Sequence, residues 1–232
     1  MKILAIIPAR GGSKGVPGKN IKFLNGKPLL GYTAEIALQS KYLTEVIVST
    51  EDEQISTVAK SLGIQVPFIR PMALAQDNTP TIDVIVHALK WYESRNVFFD
   101  AVCLLQPTSP FRTVEFLNEA IEKFTLRACD SLVSIQRVPP EYNPHWAFEV
   151  NEDGNLKIAT GEAEIISRRQ ELPLAYHRDG SIYITKTEVL LKEHSLYGKS
   201  IAYIESAADF YVNIDTMEDW KKAEEMVQNK LK

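Results

Sequence analysis

The pattern of this chain predicts an α/β fold: a mostly parallel sheet with helices on both faces and a small inserted segment. Three observations predict it. Short apolar runs of strand length alternate with stretches of helical period along most of the sequence. Those runs are apolar at successive positions rather than at every second one, which marks strands buried on both faces. At 232 residues and 45% hydrophobic content the chain has material for one large core, and we read 1–232 as a single domain.

Taken in order, Lys2–Pro8 is a buried strand that leads into a glycine-rich loop. From Pro28 to Ser40, Leu29, Leu30, Thr33, Ile36 and Ala37 share one helical face. Residues 45–50 form the next strand, and Asp52 caps a helix that runs to Leu62 and stops at Gly63. Residues 64–69 read as a strand, placed near the sheet edge by Pro67, which has no N–H for a ladder. A helix over Asp83–Ser94, a strand over 100–106, a helix over Thr113–Leu126 and a strand over 130–138 continue the alternation.

From Pro139 to Asp179 the periodicity fails. Prolines at 139, 140 and 144 and the turn NEDGN predict an insertion of hairpins and loops over 139–179. Strands over 180–186 and 200–206 resume the sheet. A helix over Thr216–Leu231 closes the chain, with Glu218 and Asp219 in its first turn, where the helix dipole favours acids. In such a sheet ligands bind beyond the carboxyl ends of the strands, so the loops after Pro8, Thr50, Ile69 and Gln106 should converge.

The first of these loops carries the chemistry. Gly11, Gly12, Gly15 and Gly18 alternate with Arg10, Lys14 and Lys19, so backbone N–H groups and three cations can surround an anion. We read it as a polyphosphate cradle. It is not a P-loop, because Ser13 stands where the first glycine is required and Asn20 replaces the Ser or Thr after the lysine. Nor is it a dinucleotide fingerprint, whose glycine spacing is not met and whose immediate helix Pro17 interrupts.

Composition excludes other classes. A net charge of −4 argues against the broad basic face that nucleic-acid binding needs. Cys103 and Cys129 offer neither a disulfide framework nor metal-ligand spacing, and read as packing residues in a reducing compartment. The first apolar run is too short for a signal peptide and no run is long enough to span a membrane, so a cytoplasmic protein with no membrane partner is expected.

Five motifs in order carry a resemblance that covers nearly all of the chain. PARGGSKGVPGKN with LNGKPLLGYT, then IRPMALAQD, LLQPTSPFR, RRQELPLAYHRDGSIYI and NIDTMEDW, resemble the acylneuraminate cytidylyltransferases, which make CMP-activated sialic and related nonulosonic acids. The resemblance implies a nucleotide-diphospho-sugar transferase-like fold, CTP and an acidic sugar as partners, and a homodimer formed through the insertion, which reaches toward the partner's active site. It assigns Ala9, Arg10, Lys14 and Lys19 to the nucleotide, and Asn20, Arg70 and Thr81 to its base and ribose. Gln106, Arg169, and His177 or Arg178 fall where relatives hold the sugar, and a planar guanidinium such as that of Arg169 suits a carboxylate.

Magnesium is the implied cofactor, with Asp215 as its ligand and Arg10, Lys19 and Asp215 as the catalytic set. Here the chain departs from the family pattern: Asn213-Ile214-Asp215 stands where relatives have two carboxylates, leaving Asn213 to offer a neutral oxygen. Asp219 reads as a helix-start carboxylate and Arg112 as an anchor for its loop. The resemblance implies transfer of CMP from CTP to the anomeric hydroxyl of a nine-carbon acid, with release of pyrophosphate. Two alternatives stay open at this level: a nucleotidyltransferase acting on a sugar 1-phosphate, and a non-catalytic nucleotide-binding module.

Overall fold

The computed structural model describes residues 1–207 and 211–230, with all side chains but that of Lys230. In chain order its elements are β1 (Ile3–Pro8), a small hairpin of β2 (Phe23–Leu24) and β3 (Lys27–Pro28), α1 (Leu29–Gln39), β4 (Glu45–Ser49), α2 (Glu53–Ser61) and α3 (Thr81–Glu93). Next come β5 (Ala101–Leu104), α4 (Val114–Arg127), β6 (Ser131–Arg137), the hairpin of β7 (Phe148–Val150) and β8 (Leu156–Ile158), β9 (Tyr176–Lys186), α5 (Thr187–Lys192), β10 (Ile201–Glu205) and α6 (Met217–Lys230).

Six strands form the central sheet in the order β10-β6-β9-β5-β1-β4. β1 pairs in parallel with both β4 and β5, and β10 pairs in parallel with β6. β9 lies between β5 and β6 and runs antiparallel to both. β1 lies between β5 and the edge strand β4 and is covered on both faces: Leu4 to Ile7 are fully buried, with Leu4, Ile6 and Ile7 each contributing about 1.5–3 kcal/mol. Odd and even positions of β1 face different packed layers. Ile3, Ala5 and Ile7 join α1, α2 and α4, whereas Leu4 and Ile6 join α3 and α5.

The Asp52 cap acts as read, accepting from the N–H groups of Gln54 and Ile55; Thr113, read as the first helical residue, instead caps α4 by accepting from the N–H of Phe116. Cys103 and Cys129 are free and buried in the core, and burial pushes the Cys103 thiol up to about 12. Among the described residues no helix is long and apolar enough to cross a membrane.

Three further readings need correction. Residues 64–69 form no strand; the segment only touches β4 through single bridges, Ile47 to Gln65 and Thr50 to Ile69, because Pro67 cannot extend a ladder. The inserted segment leaves the sheet earlier than Asp179, since residues 176–178 already pair with 135–137. β9 continues through this point, but its register with β6 shifts between Val133 and Ile135, where the Asp179 carboxylate turns inward to Ser134 and to the N–H of Ser181. Finally, α6 begins at Met217 rather than Thr216, and its expected end at Leu231 lies outside the described residues.

Candidate active site

A cleft of about 440 Å³ opens at the carboxyl end of β1, lined by Arg10, Lys14, Lys19, Asn20, Arg70 and Asp215 among others. The walls are the loop after β1, the segment after Arg70, the turn after β5 and the strand-like stretch before α6. Ile214 donates its N–H to the carbonyl of Thr108, which ties the last two together.

The glycine loop is held in place rather than free. Val16 is fully buried with Leu24, Leu29, Ile214 and Trp220, so an apolar staple fixes the middle of a polar loop. A Cβ on Gly15 would lie 2.0 Å from the carbonyl oxygen of Asp215, and one on Gly11 would lie 2.3 Å from the Asp52 carboxylate. Glycine is required at 15, where the neighbour is backbone; at 11 a side chain could be admitted only if Asp52 shifted.

Lys19 is largely buried, with its ammonium 2.7 Å from the carbonyl of Ile214 and 3.1 Å from Oδ1 of Asp215. The other Asp215 oxygen accepts from the amide of Asn213 at 2.6 Å. Asp219 caps the stretch: one of its oxygens accepts from the N–H groups of Asp215 and Thr216, and desolvation is outweighed by these bonds, which hold its carboxyl below the usual range. Arg10 and Lys14 both pair with Asp77 on the opposite wall.

Deeper in the cleft, Arg70 is buried and pairs at 2.5 Å with Oε2 of Glu51, which is also buried. The second Glu51 oxygen accepts from the N–H of Gly11 at 2.8 Å. One carboxylate therefore joins the glycine loop to Arg70, and the Arg70 Nε is left buried with no protein partner. Asn20 donates from its amide to the carbonyl of Arg10 at 2.9 Å, which fixes the amide's orientation.

Of the other expected nucleotide contacts, Thr81 lines the cleft at the first residue of α3. Ala9 backs the cleft instead: it is buried and its N–H goes to Ser49. Gln106 lines the cleft as expected. Beneath it the buried Arg112 donates to the carbonyls of Gln106, Ser109 and Ser181 and to the Thr33 hydroxyl, so one guanidinium clamps both ends of the Gln106–Ser109 turn. Burial pushes the Arg112 guanidinium down to about 10.

The expected sugar residues of the inserted segment do not join this cleft within one chain. Arg169 lines a separate hollow with Arg137, Val138, Pro139, Pro140 and Gln170. His177 is exposed, its Nδ1 3.1 Å from the carbonyl of Arg178, and the Arg178 guanidinium donates to the Tyr197 hydroxyl. The hydrogen bond to Tyr197 and the nearby phenols raise the Arg178 pKa above its ordinary value.

Two carboxylates, Asp77 in the cleft wall and Glu51 behind it, carried no recognisable signal. Glu51 sits between a strand and a capped helix and reads as surface; Asp77 lies within a quoted motif but in a polar turn. The usable clue was position alone, since both follow segments predicted to end at the carboxyl edge of the sheet.

The family model described as cytidylyltransferase matches residues 4–231. The chain is 37% identical over 229 residues to a CMP-N,N'-diacetyllegionaminic acid synthase of Legionella pneumophila, covering 98% of this chain and 97% of that one. It is 35% identical over 219 residues to a pseudaminic acid cytidylyltransferase of Campylobacter jejuni, covering 94% and 93% of the two chains. Among solved structures it resembles a CMP:2-keto-3-deoxy-manno-octonic acid synthetase complexed with CTP, with a TM-score of 0.74 and 20% identity over 99% of this chain and 100% of that one. The last likeness is one of fold.

Proposed function

The chain belongs to the cytidylyltransferase family, and on that premise we propose that it transfers CMP from CTP to the anomeric hydroxyl of an acidic nine-carbon sugar, releasing pyrophosphate. The observation that carries this reading is the cleft itself. Three cations of one glycine loop line it, Lys19 paired with Asp215 and Arg10 and Lys14 with Asp77, and a buried arginine lies behind them.

In the reaction the sugar hydroxyl oxygen attacks the α-phosphorus in line; the new O–P bond forms as the bond from the α-phosphorus to the bridging oxygen breaks, pyrophosphate leaves with those electrons, and the hydroxyl proton passes to solvent. Arg10, Lys14 and Lys19 bind the triphosphate and take up the charge that grows on the departing group. Arg70, Asn20 and Thr81 hold the nucleoside end, and Gln106 meets the sugar. No side chain is assigned as general base; the catalysis is positioning and electrostatics.

Asp215 and Asn213 lie side by side and carry oxygens of the kind a hard divalent cation takes, but here both Asp215 oxygens accept from nitrogen donors, Lys19 and the Asn213 amide, so an ion would have to displace the Asn213 amide from Asp215. Among the described residues no group of three or more His, Cys, Asp or Glu could hold a metal, so magnesium would draw its remaining donors from the triphosphate. Bound there, it would neutralise charge on the phosphates.

The inserted segment supports a homodimer. Phe148, Val150 and Leu156 of its hairpin are exposed, as is Leu174 near the end of the segment, an apolar surface suited to a second copy. Arg169, with His177 or Arg178, then serves the sugar carboxylate in the partner's cleft. We place the enzyme in the cytoplasm, where CTP is made.

A pyrophosphate-release assay with CTP and a panel of nonulosonic acids tests the activity. Release that requires both CTP and an acidic sugar is expected. Release with a sugar 1-phosphate instead, or CTP binding with no release under any acid, would overturn the reading.

A further inference from the structure

Asp77 stands across the cleft from the glycine loop and is bound to it twice. Its Oδ1 lies 2.6 Å from a terminal nitrogen of Arg10, and its Oδ2 pairs with the ammonium of Lys14. Both partners belong to the set of cations assigned above to the triphosphate. The carboxylate thus meets a guanidinium and an ammonium with its two oxygens, the same donors that a phosphate's oxygens would engage.

Its position is built by the local chain. After the short turn Met72–Leu74, the N–H of Gln76 donates to the Thr79 hydroxyl and the N–H of Thr79 donates to the Gln76 carbonyl. The Gln76 amide also donates to the carbonyl of Met72. Asp77 is carried on a compact polar turn with no apolar anchor among Gln76–Pro80, whereas Arg10 and Lys14 sit on the loop that Val16 fixes. When the two anions compete, it is the Asp77 turn that has least to lose by moving.

We propose that Asp77 is an internal competitor for the polyphosphate: it is displaced from Arg10 and Lys14 when the triphosphate binds and returns to them as pyrophosphate leaves. This rests on the reading of the cleft as a polyphosphate site. A triphosphate brings several negative charges and wins the two cations; a single carboxylate then regains them once the leaving group is free, so the product is not trapped by the charges that favoured its departure. The hydrogen bonds from Lys14 and Arg10 hold the Asp77 carboxyl below its usual range, so it is an anion throughout the physiological range.

The test is calorimetric titration of inorganic pyrophosphate, and separately of tripolyphosphate, into the full-length wild type and Asp77→Asn, with thermal melts of both. Asparagine keeps the shape and removes the competing charge. Tighter binding to Asp77→Asn by about two- to thirtyfold is expected, the scale of two partly exposed ion pairs, with the gain shrinking as salt is raised. Asp77→Ala should show the same direction, which separates lost competition from any new bond made by the amide. Equal or weaker binding by both variants at matched melting temperature would overturn the proposal and make Asp77 a support for the cations. Failure of wild type and variants alike to bind either anion would overturn the polyphosphate reading of the cleft as well.

Discussion

The phosphate side and the sugar side of this protein are built in opposite ways. On the phosphate side the charged groups find partners within one chain: Lys19 with Ile214 and Asp215, Arg70 with Glu51, Glu51 with the backbone of Gly11, and Arg10 and Lys14 with Asp77. On the sugar side Gln106 is equally fixed, through Arg112, but Arg169 and His177 are exposed on or beside an inserted segment with little core of its own. The difference teaches where each kind of recognition is paid for. The phosphate cleft is assembled from loops at the sheet edge; the residues proposed for the acidic sugar lie largely on a segment added to the sheet.

The contrast is broken most severely at Asp215. If the phosphate side is a preorganised unit, Asp215→Asn removes the carboxylate that faces Lys19, and kcat should fall by about 10²–10³-fold while thermal stability changes little, because that side chain is largely exposed. Steady-state kinetics beside a melting curve reads both. Lys19→Ala should cost less, roughly ten- to a hundredfold in kcat/KM for CTP. A near-wild-type value at matched stability would remove Lys19 from the site.

These two sides were not equally legible in the sequence. Strands β1, β4, β5 and β6 stood out as apolar runs, and the cap at Asp52 as a side chain that satisfies free N–H groups. The insertion of β9 between β5 and β6 was not readable, because which strands pair is decided by packing across the whole sheet rather than by any local pattern. The cradle was legible since its glycines and cations lie within a dozen residues. Glu51 and Asp77 were not: a carboxylate gains meaning only from the cation that folding brings to it, here from 19 residues away for Glu51 and Arg70. Arg169 was singled out for its chemistry, but its place outside the cleft depends on how the inserted segment folds.

On the sugar side, Arg169→Lys should raise the KM for the acid or lower kcat by about tenfold, with CTP affinity unchanged by calorimetry. Loss of CTP affinity in equal measure would move Arg169 to the phosphate side and erase the contrast. The smallest effect is expected at Asn213. Its amide now donates to Asp215, so Asn213→Asp sets two carboxylates against each other and should lower the melting temperature without magnesium. With the ion present that loss should be recovered, and the magnesium needed for half-maximal rate should drop a few-fold. An unchanged requirement would show that Asn213 does not share the ion.

The central claim, that the phosphate side is complete in one chain and the sugar side is completed by a second copy, is tested by mixing two damaged proteins. Asp215→Asn and Arg169→Ala are each assayed alone, then co-expressed so that mixed dimers form. In a mixed dimer one cleft has its own Asp215 and receives Arg169 from the partner, so the account predicts recovery to about a quarter of the wild-type rate. Activity that stays at the average of the two variants would mean that Arg169 acts in its own chain's cleft, or not at all, and would contradict the account.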